Sequence, residues 1–366
     1  MNNVVNNEQV RTTAGVSFAA TICFDKVDVE LGNKKILNKL DLKLKPAEIV
    51  CLLGESGSGK STILRVIAGL QAVKSGSLKI NDEIVSDKKK TLEPQKRGVG
   101  LMFQDFALFP HLTLFENVVF GLSHLKKDKA KQQAEVALAR VGLEKRKNDY
   151  PNMLSGGQQQ RLALARTIAP RPSIIMLDEP FSGLDSRLRQ SIRADTLAVL
   201  RETNATTIIV THDPEEAMLL GDRVIMLKNG RVSQIDSPKN IYNKPNDIET
   251  ARFIAPLNEI EAVVNNGFAN TLLGKVPTRD FKENDKVIIA FRSVGAVKIE
   301  EKPNKTNKTA RIISKKNALG FDVYQVQVAG IEQTILIKEK SNPQLCVGKN
   351  IYISLNLKHV LVFDQK

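Results

Sequence analysis

Gly54-Glu55-Ser56-Gly57-Ser58-Gly59-Lys60-Ser61, followed by Thr62, has the form G-x-x-x-x-G-K-S, the spacing of a phosphate-binding loop. The run before it, Glu48-Ile49-Val50-Cys51-Leu52-Leu53, suits a buried parallel strand. From Ser61 to Leu70 the spacing is helical, so the motif has the strand-turn-helix setting it needs. Glycines at 54, 57 and 59 allow positive φ and let bare backbone approach a ligand. Consecutive N–H groups and the helix N-terminus then favour phosphate oxygens. Lys60 should reach the β- and γ-phosphates and the Ser61 hydroxyl should meet Mg²⁺. An ordinary glycine-rich turn is the alternative, but four such positions coincide by chance in roughly one chain of this length per hundred.

The chain has 366 residues and a net charge of +14. Two domains, each with its own core, are the natural expectation at this length. No apolar run approaches bilayer-spanning length, and Ala14–Phe24 is too short and interrupted for a signal peptide, which points to the cytoplasm. Cys23, Cys51 and Cys346 are scattered, with neither disulfide nor zinc spacing. Lysines lie in both halves without arginine–aromatic interleaving. The charge therefore fits work beside anionic lipid and gives no reason to expect nucleic acid.

Met1 to about Ala20 reads as a polar tail, with residues 21–240 as the first domain. Strands are expected at Ile22–Leu31, Ile36–Leu44, Leu78–Ile80, Glu83–Val85 and Gly98–Phe103. A helical insertion fills about 105–169, including Asp128–Val141. Strands resume at Ser173–Leu177 and Thr206–Val210, with a helix of about Arg187–Thr203 between them. Val224–Lys228 and Arg231–Gln234 form a hairpin around Asn229-Gly230. Prolines punctuate a linker at 241–256. Residues 257–366 then read as a small all-β, barrel-like domain, with strands at Lys286–Phe291, Thr309–Ile313, Phe321–Val328, Ile331–Ile337, Asn350–Leu355 and His359–Phe363.

Ile174-Ile175-Met176-Leu177 leads into Asp178 and Glu179, an apolar strand ending in two acids. Asp178 is placed for the Mg²⁺ shell and Glu179 to polarise an attacking water. His212 and Gln104 follow two other strands, at the end where α/β sheets bind ligands. Both are assigned to the γ-phosphate, and Gln104 also to the metal. Leu154-Ser155-Gly156-Gly157-Gln158-Gln159-Gln160-Arg161 is the most specific string in the chain. Ser155 caps a helix, and the two glycines leave N–H groups uncovered as a second anion-binding surface. A capped surface helix is the alternative.

Together these strings resemble the ATP-binding subunits of ABC transporters, over about Ile22 to Asp236. The resemblance implies an α/β P-loop nucleotide hydrolase domain with a helical subdomain, then an OB-like β-domain. It implies ATP and Mg²⁺ as cofactors and a head-to-tail homodimer. In that dimer Leu154, Ser155, Gly156, Gly157 and Gln158 of one copy would serve the nucleotide held at Gly54–Ser61 of the other. Ser182-Gly183-Leu184-Asp185 resembles the loop that crosses between subunits, and His212 the switch histidine. Phe109-Pro110-His111-Leu112-Thr113, Ala163–Arg166 and the single β-domain look like the ferric-iron group of bacterial import ATPases. Groups serving spermidine, sulfate, molybdate, phosphonate or sugars share nearly all of these features.

The implied partners are two integral membrane permease subunits and a periplasmic or lipid-anchored substrate-binding protein, with the chain peripheral at the cytoplasmic face of the inner membrane. The groove near Gln104–Leu114 would receive a permease helix. A non-transport ABC ATPase and a nucleic-acid or sensor-binding role for the β-domain are the rival readings. Two positions depart from the family. Leu31 stands where relatives carry an adenine-stacking aromatic residue, which implies weaker nucleotide selectivity. Ala290-Phe291-Arg292-Ser293-Val294 keeps the arginine but loses the Arg-Pro-Glu turn of the β-domain.

Overall fold

The structure is a computed structural model that describes residues 19–300, 302–303, 308–318 and 320–365. Most of the expected tail therefore lies outside the described residues. At its end, Ala20 is fully buried and its carbonyl accepts from Thr206 Oγ1 at 2.6 Å, so ordered structure begins before the first strand. The chain divides into two compact units after Lys239.

The first unit runs β1 (Ile22–Leu31), β2 (Lys34–Leu44), β3 (Ile49–Leu53), α1 (Lys60–Ala68), β4 (Ser75–Ile80), β5 (Glu83–Asp87) and β6 (Val99–Met102). Three helices follow, α2 (Leu114–Phe120), α3 (Lys127–Arg140) and α4 (Gly156–Ile168), in the stretch where strand signals vanish. Then come β7 (Ile174–Asp178), α5 (Ser186–Thr203), β8 (Thr206–Thr211), α6 (Pro214–Leu220), β9 (Arg223–Lys228) and β10 (Arg231–Asp236). One sheet has the order β2-β1-β4-β5 and is antiparallel throughout; the other has the order β10-β9-β3-β8-β7-β6. β3, β8, β7 and β6 pair in parallel; β3 is apolar along its length and β7 as far as Leu177, because helices and sheet cover both faces. Val50, Leu52, Ile63, Ile67, Ile208 and Leu37 belong to one core cluster, which seats the two sheets and α1 on each other.

The second unit is β-rich. Near the division lie α7 (Pro238–Asn243) and α8 (Ile248–Ile254). The strands are β11 (Leu257–Asn265), β12 (Phe268–Thr271), β13 (Gly274–Pro277), β14 (Lys286–Arg292), β15 (Val297–Glu300), β16 (Lys308–Ala318), β17 (Phe321–Val328), β18 (Ile335–Lys340), β19 (Asn350–Leu355) and β20 (Val360–Asp364). They form two five-stranded sheets, β13-β12-β11-β14-β20 and β15-β19-β16-β17-β18. Arg292 does not mark a turn. It is the buried last residue of β14, donates to the carbonyls of Ala251 and Ala255, and lies over the Tyr242 ring. It thus caps the C-terminus of α8, where carbonyls lack helical partners. Among the described residues no helix is long and apolar enough to cross a membrane.

Candidate nucleotide site

Register brings the predicted residues to one edge of the parallel sheet. Leu53 pairs with Thr211, Asp178 with Val210, and Met102 with Leu177. Gly54, His212, Glu179 and Gln104 therefore leave neighbouring strands at their carboxyl ends, the ligand edge of an open α/β sheet.

The turn from β3 to α1 needs its glycines for two different reasons. Gly57 and Gly59 have φ of 81° and 107°, which L side chains rarely adopt. At Gly54 an added Cβ would lie 2.3 Å from the Leu227 carbonyl oxygen. The tip of the β9–β10 hairpin closes over the loop as well. Gly230 donates its N–H to the Ser58 carbonyl at 3.1 Å, and Asn38 donates to the Gly230 carbonyl at 3.0 Å. A Cβ on Gly230 would come within 2.0 Å of Ile36 O. Asn229-Gly230 was legible as a hairpin; its role as a buttress of the loop was not.

Lys60 is buried at the loop's centre and donates to the carbonyls of Gly54 and Glu55, each at 2.8 Å. Burial lowers its pKa, and the charges of Glu179 and Asp178 pull it back up. The Ser58 hydroxyl is buried with no hydrogen-bond partner, so this cradle holds a donor that a phosphate oxygen would satisfy. Ser56 and Gly57 are exposed, whereas Thr62 is buried on α1.

Across the loop, the Ser61 hydroxyl donates to Asp178 Oδ1 at 3.1 Å. Burial pushes the Asp178 carboxyl up, opposed by that hydrogen bond. Hydroxyl and carboxylate together form an oxygen set suited to Mg²⁺ completed by phosphate and water. Glu179 has φ 46° and donates its N–H to Val210 O at 3.0 Å, which turns its side chain toward His212. His212 Nδ1 lies 3.1 Å from Glu179 Oε2. Gln104 is exposed two residues beyond β6.

Beneath His212 lies a buried network that the sequence reading missed. Thr211 Oγ1 donates to Glu216 Oε2 at 2.6 Å, and Asp213 donates its N–H to Thr211 Oγ1. Arg193, reaching over from α5, donates to Glu216 at 2.6 Å and to Asp213 at 3.0 Å. Thr211, Glu216 and Arg193 are all buried. Only the cap signature Asp213-Pro214-Glu215 hinted that the histidine loop is anchored.

At the second anion surface Ser155 caps the helix as expected, and further contacts brace the turn. Ser155 is the N-cap of α4, and its N–H donates to the Gln158 carboxamide at 3.1 Å. That carboxamide also accepts from Arg146, at 3.0 Å, which braces the turn through Asp149 and Met153 O. Leu154 is buried and acts as an anchor. Gly156 is exposed and open, but a Cβ on Gly157 would meet Ile192 Cδ1 at 2.4 Å. Gly157 thus packs closely against Ile192 on α5, while Gly156 is exposed. Among the described residues, the side-chain hydrogen bonds of this turn do not run to Gly54–Ser61. Asp185 is exposed past a turn in which Ser182 Oγ donates to the Glu179 carbonyl and Arg189 to the Leu184 carbonyl. Leu31, at the tip of the β1–β2 hairpin, is 43% exposed.

The family model described as "ABC transporter" matches residues 37–182. The Fe(3+) ions import ATP-binding protein FbpC 2 of Haemophilus influenzae is 33% identical over 332 residues, 89% of this chain and 92% of that one. The chain belongs to the ABC transporter family. As an ABC ATPase it hydrolyses ATP. Its fold also matches the dimeric post-hydrolysis state of the ATP-binding cassette MJ0796 bound to ADP and Pi, with TM-score 0.52 and 33% identity over 59% of this chain and 98% of that one. Other relatives of this ABC chain are named for different cargoes. The sulfate/thiosulfate import ATP-binding protein CysA of Mesostigma viride is 34% identical over 92% of this chain and 97% of its own. The spermidine/putrescine import ATP-binding protein PotA of Bacillus cereus is 41% identical over 66% of this chain and 72% of its own.

Proposed function

We propose that this chain is the ATP-hydrolysing subunit of a bacterial importer, works as a head-to-tail homodimer, and drives ferric iron uptake through two separate permease subunits. The observation that carries the ATPase reading is the pairing of Ser61 with Asp178 and of Glu179 with His212 at one strand edge.

In this reading Lys60, the loop N–H groups and the Ser58 hydroxyl bind the phosphates. Ser61 and Asp178, with Gln104, would hold Mg²⁺, which when bound neutralises phosphate charge. Glu179 takes a proton from the attacking water, while His212 Nδ1 orients the Glu179 carboxylate. His212 and Gln104 respond to the γ-phosphate. Ser155 and Gly156 come from the second copy and stabilise the same phosphate, as trans-acting groups do in other nucleotide hydrolases. The chain sits at the cytoplasmic face of the membrane, where exposed Phe103 and Phe120 beside the Gln104–Leu114 groove offer an apolar seat for a permease helix. A periplasmic or lipid-anchored binding protein delivers the cargo.

Support for iron over polyamine comes from length. The iron-import relatives align over 89–95% of the chain, three polyamine relatives over 63–66%. The full-length match to a sulfate/thiosulfate protein favours sulfate as the second reading. Reconstituted complexes with the neighbouring permease decide between them. Iron import predicts that ferric-loaded binding protein, and neither sulfate nor spermidine, stimulates ATP turnover.

A further inference from the structure

The segment that carries Gln104 contains a backbone feature that its own residues do not explain. Phe106 and Ala107 have φ of 62° and 45°. Among the described residues the only other adjacent non-glycine pair with positive φ is Asn81-Asp82, residue types whose short polar side chains tolerate that conformation. Phe and Ala have no such compensation, and the turn's own hydrogen bond, from Phe106 N–H to Phe103 O at 3.0 Å, leaves the Phe106 and Ala107 carbonyls to be held by something outside it.

That something is Arg166, in the last turn of α4. Its Nη2 donates to the Phe106 carbonyl and its Nη1 to the Ala107 carbonyl, each at 2.7 Å. The same guanidinium lies over the Phe109 ring, 5.4 Å from its centroid. Downstream the chain is bolted independently. Buried Asn117 accepts from Phe109 N–H and donates to the carbonyls of Phe109, Leu112 and Thr113. Upstream it is fixed in β6 by pairing with β7. Freedom of the Gln104 segment is therefore concentrated at 103–108, and the planar two-donor fork of Arg166 is what closes it.

We propose that Arg166 is a positioning residue for Gln104, holding the strained Phe106-Ala107 turn so that the carboxamide stays at the γ-phosphate. The proposal rests on the reading of Gln104 as a γ-phosphate-responsive group. It predicts a selective loss of turnover, because the phosphate loop itself makes none of these contacts.

The test compares Arg166→Lys, Ala107→Gly and their combination in the full chain, measuring ATP turnover and ATP binding separately. Lysine keeps the charge but replaces the planar fork, whose two nitrogens are set at a fixed separation toward Phe106 O and Ala107 O, with one freely rotating ammonium, so turnover should fall about ten- to a hundredfold with ATP affinity within about twofold. Glycine takes positive φ freely, so Ala107→Gly in the Arg166→Lys background should restore turnover to within about threefold of the parent. A role in folding alone would not be rescued this way. Ala107→Val gives a second route: it disfavours the turn with Arg166 intact and should slow turnover with ATP affinity kept. Wild-type turnover in Arg166→Lys or Ala107→Val, or a double variant as slow as Arg166→Lys, overturns the clamp. Gln104→Ala separates the two ideas. If it is slow and rescue is absent, the clamp alone is wrong; if it turns over normally, the Gln104 reading falls and takes the assignment of Arg166 with it.

Discussion

His212 Nδ1 lies 3.1 Å from Glu179 Oε2, and Glu179 holds this position from a left-handed backbone at φ 46°. The second Glu179 oxygen stays available for a water proton. Glu179→Gln keeps the size and polarity of the side chain beside His212 but removes the base, so hydrolysis should fall about 10²- to 10⁴-fold. ATP binding should persist and an ATP-bound dimer should accumulate, visible by size-exclusion chromatography. A rate within twofold of the parent would remove Glu179 as the base.

The phosphate loop is as dependent on Gly230 as on its own glycines. At φ 71°, with Ile36 O where a Cβ would sit, Gly230→Ala should cost about 2–5 kcal/mol from conformation and crowding together. ATP affinity should drop with it although Gly230 needs no contact with nucleotide. Denaturant unfolding and ATP titration check both effects; normal affinity would mean that the hairpin tip does not support the loop.

Legibility followed sequence distance. Gly54–Ser61, Leu154–Arg161 and Asp178-Glu179 carry their chemistry in contiguous strings, so residue types and spacing sufficed. Gly230 against Ile36, Arg193 against Glu216 and Arg146 against Gln158 are pairings that exist only once strands and helices are stacked. The close approach of Gly157 to Ile192 on α5 was likewise illegible, because a glycine's packing role is set by a helix that follows much later in the chain. In the β-rich unit, β11 reads Leu257-Asn258-Glu259-Ile260-Glu261, where two acids and an amide blur the alternation. Asn258 is there to hydrogen-bond the Leu336 backbone on β18. The expected strand at Ile331–Ile337 begins only at Ile335, since Ile331 N–H closes a turn onto Val328 O.

Leu31 bears on nucleotide choice. A hairpin-tip leucine offers apolar contact without a π face. Leu31→Tyr should tighten ATP binding by about 1–3 kcal/mol, the worth of base stacking on an aromatic ring, and should widen the preference for ATP over pyrimidine nucleotides. Equal affinities in parent and variant would show that Leu31 does not meet the base.

The β-rich unit carries its own acid sensitivity. Asp322 is fully buried; burial pushes its carboxyl up, but hydrogen bonds from Asn342 N–H, Lys315, Tyr324 and Ser341 outweigh this and hold it well below the usual carboxylate range. A folded-state pKa below the unfolded value gives stability that is present above about pH 4 and is lost as pH falls through the folded value. Asp322→Asn should therefore unfold at lower temperature at neutral pH and lose less on acidification. Thermal melts from about pH 7 to about pH 3 compare the slopes, and parallel slopes would contradict the assignment.

The central claim is that each ATP is hydrolysed between Gly54–Ser61 of one copy and Ser155-Gly156 of another. Mixing a Lys60→Ala chain with a Ser155→Arg chain tests it most directly, because a mixed dimer keeps one intact site and one doubly damaged site. Each variant alone should be inactive, and an equal mixture should recover about a quarter of the parent ATPase rate if sites act independently. A mixture no more active than its separate components, or a Ser155→Arg chain active by itself, would contradict the account.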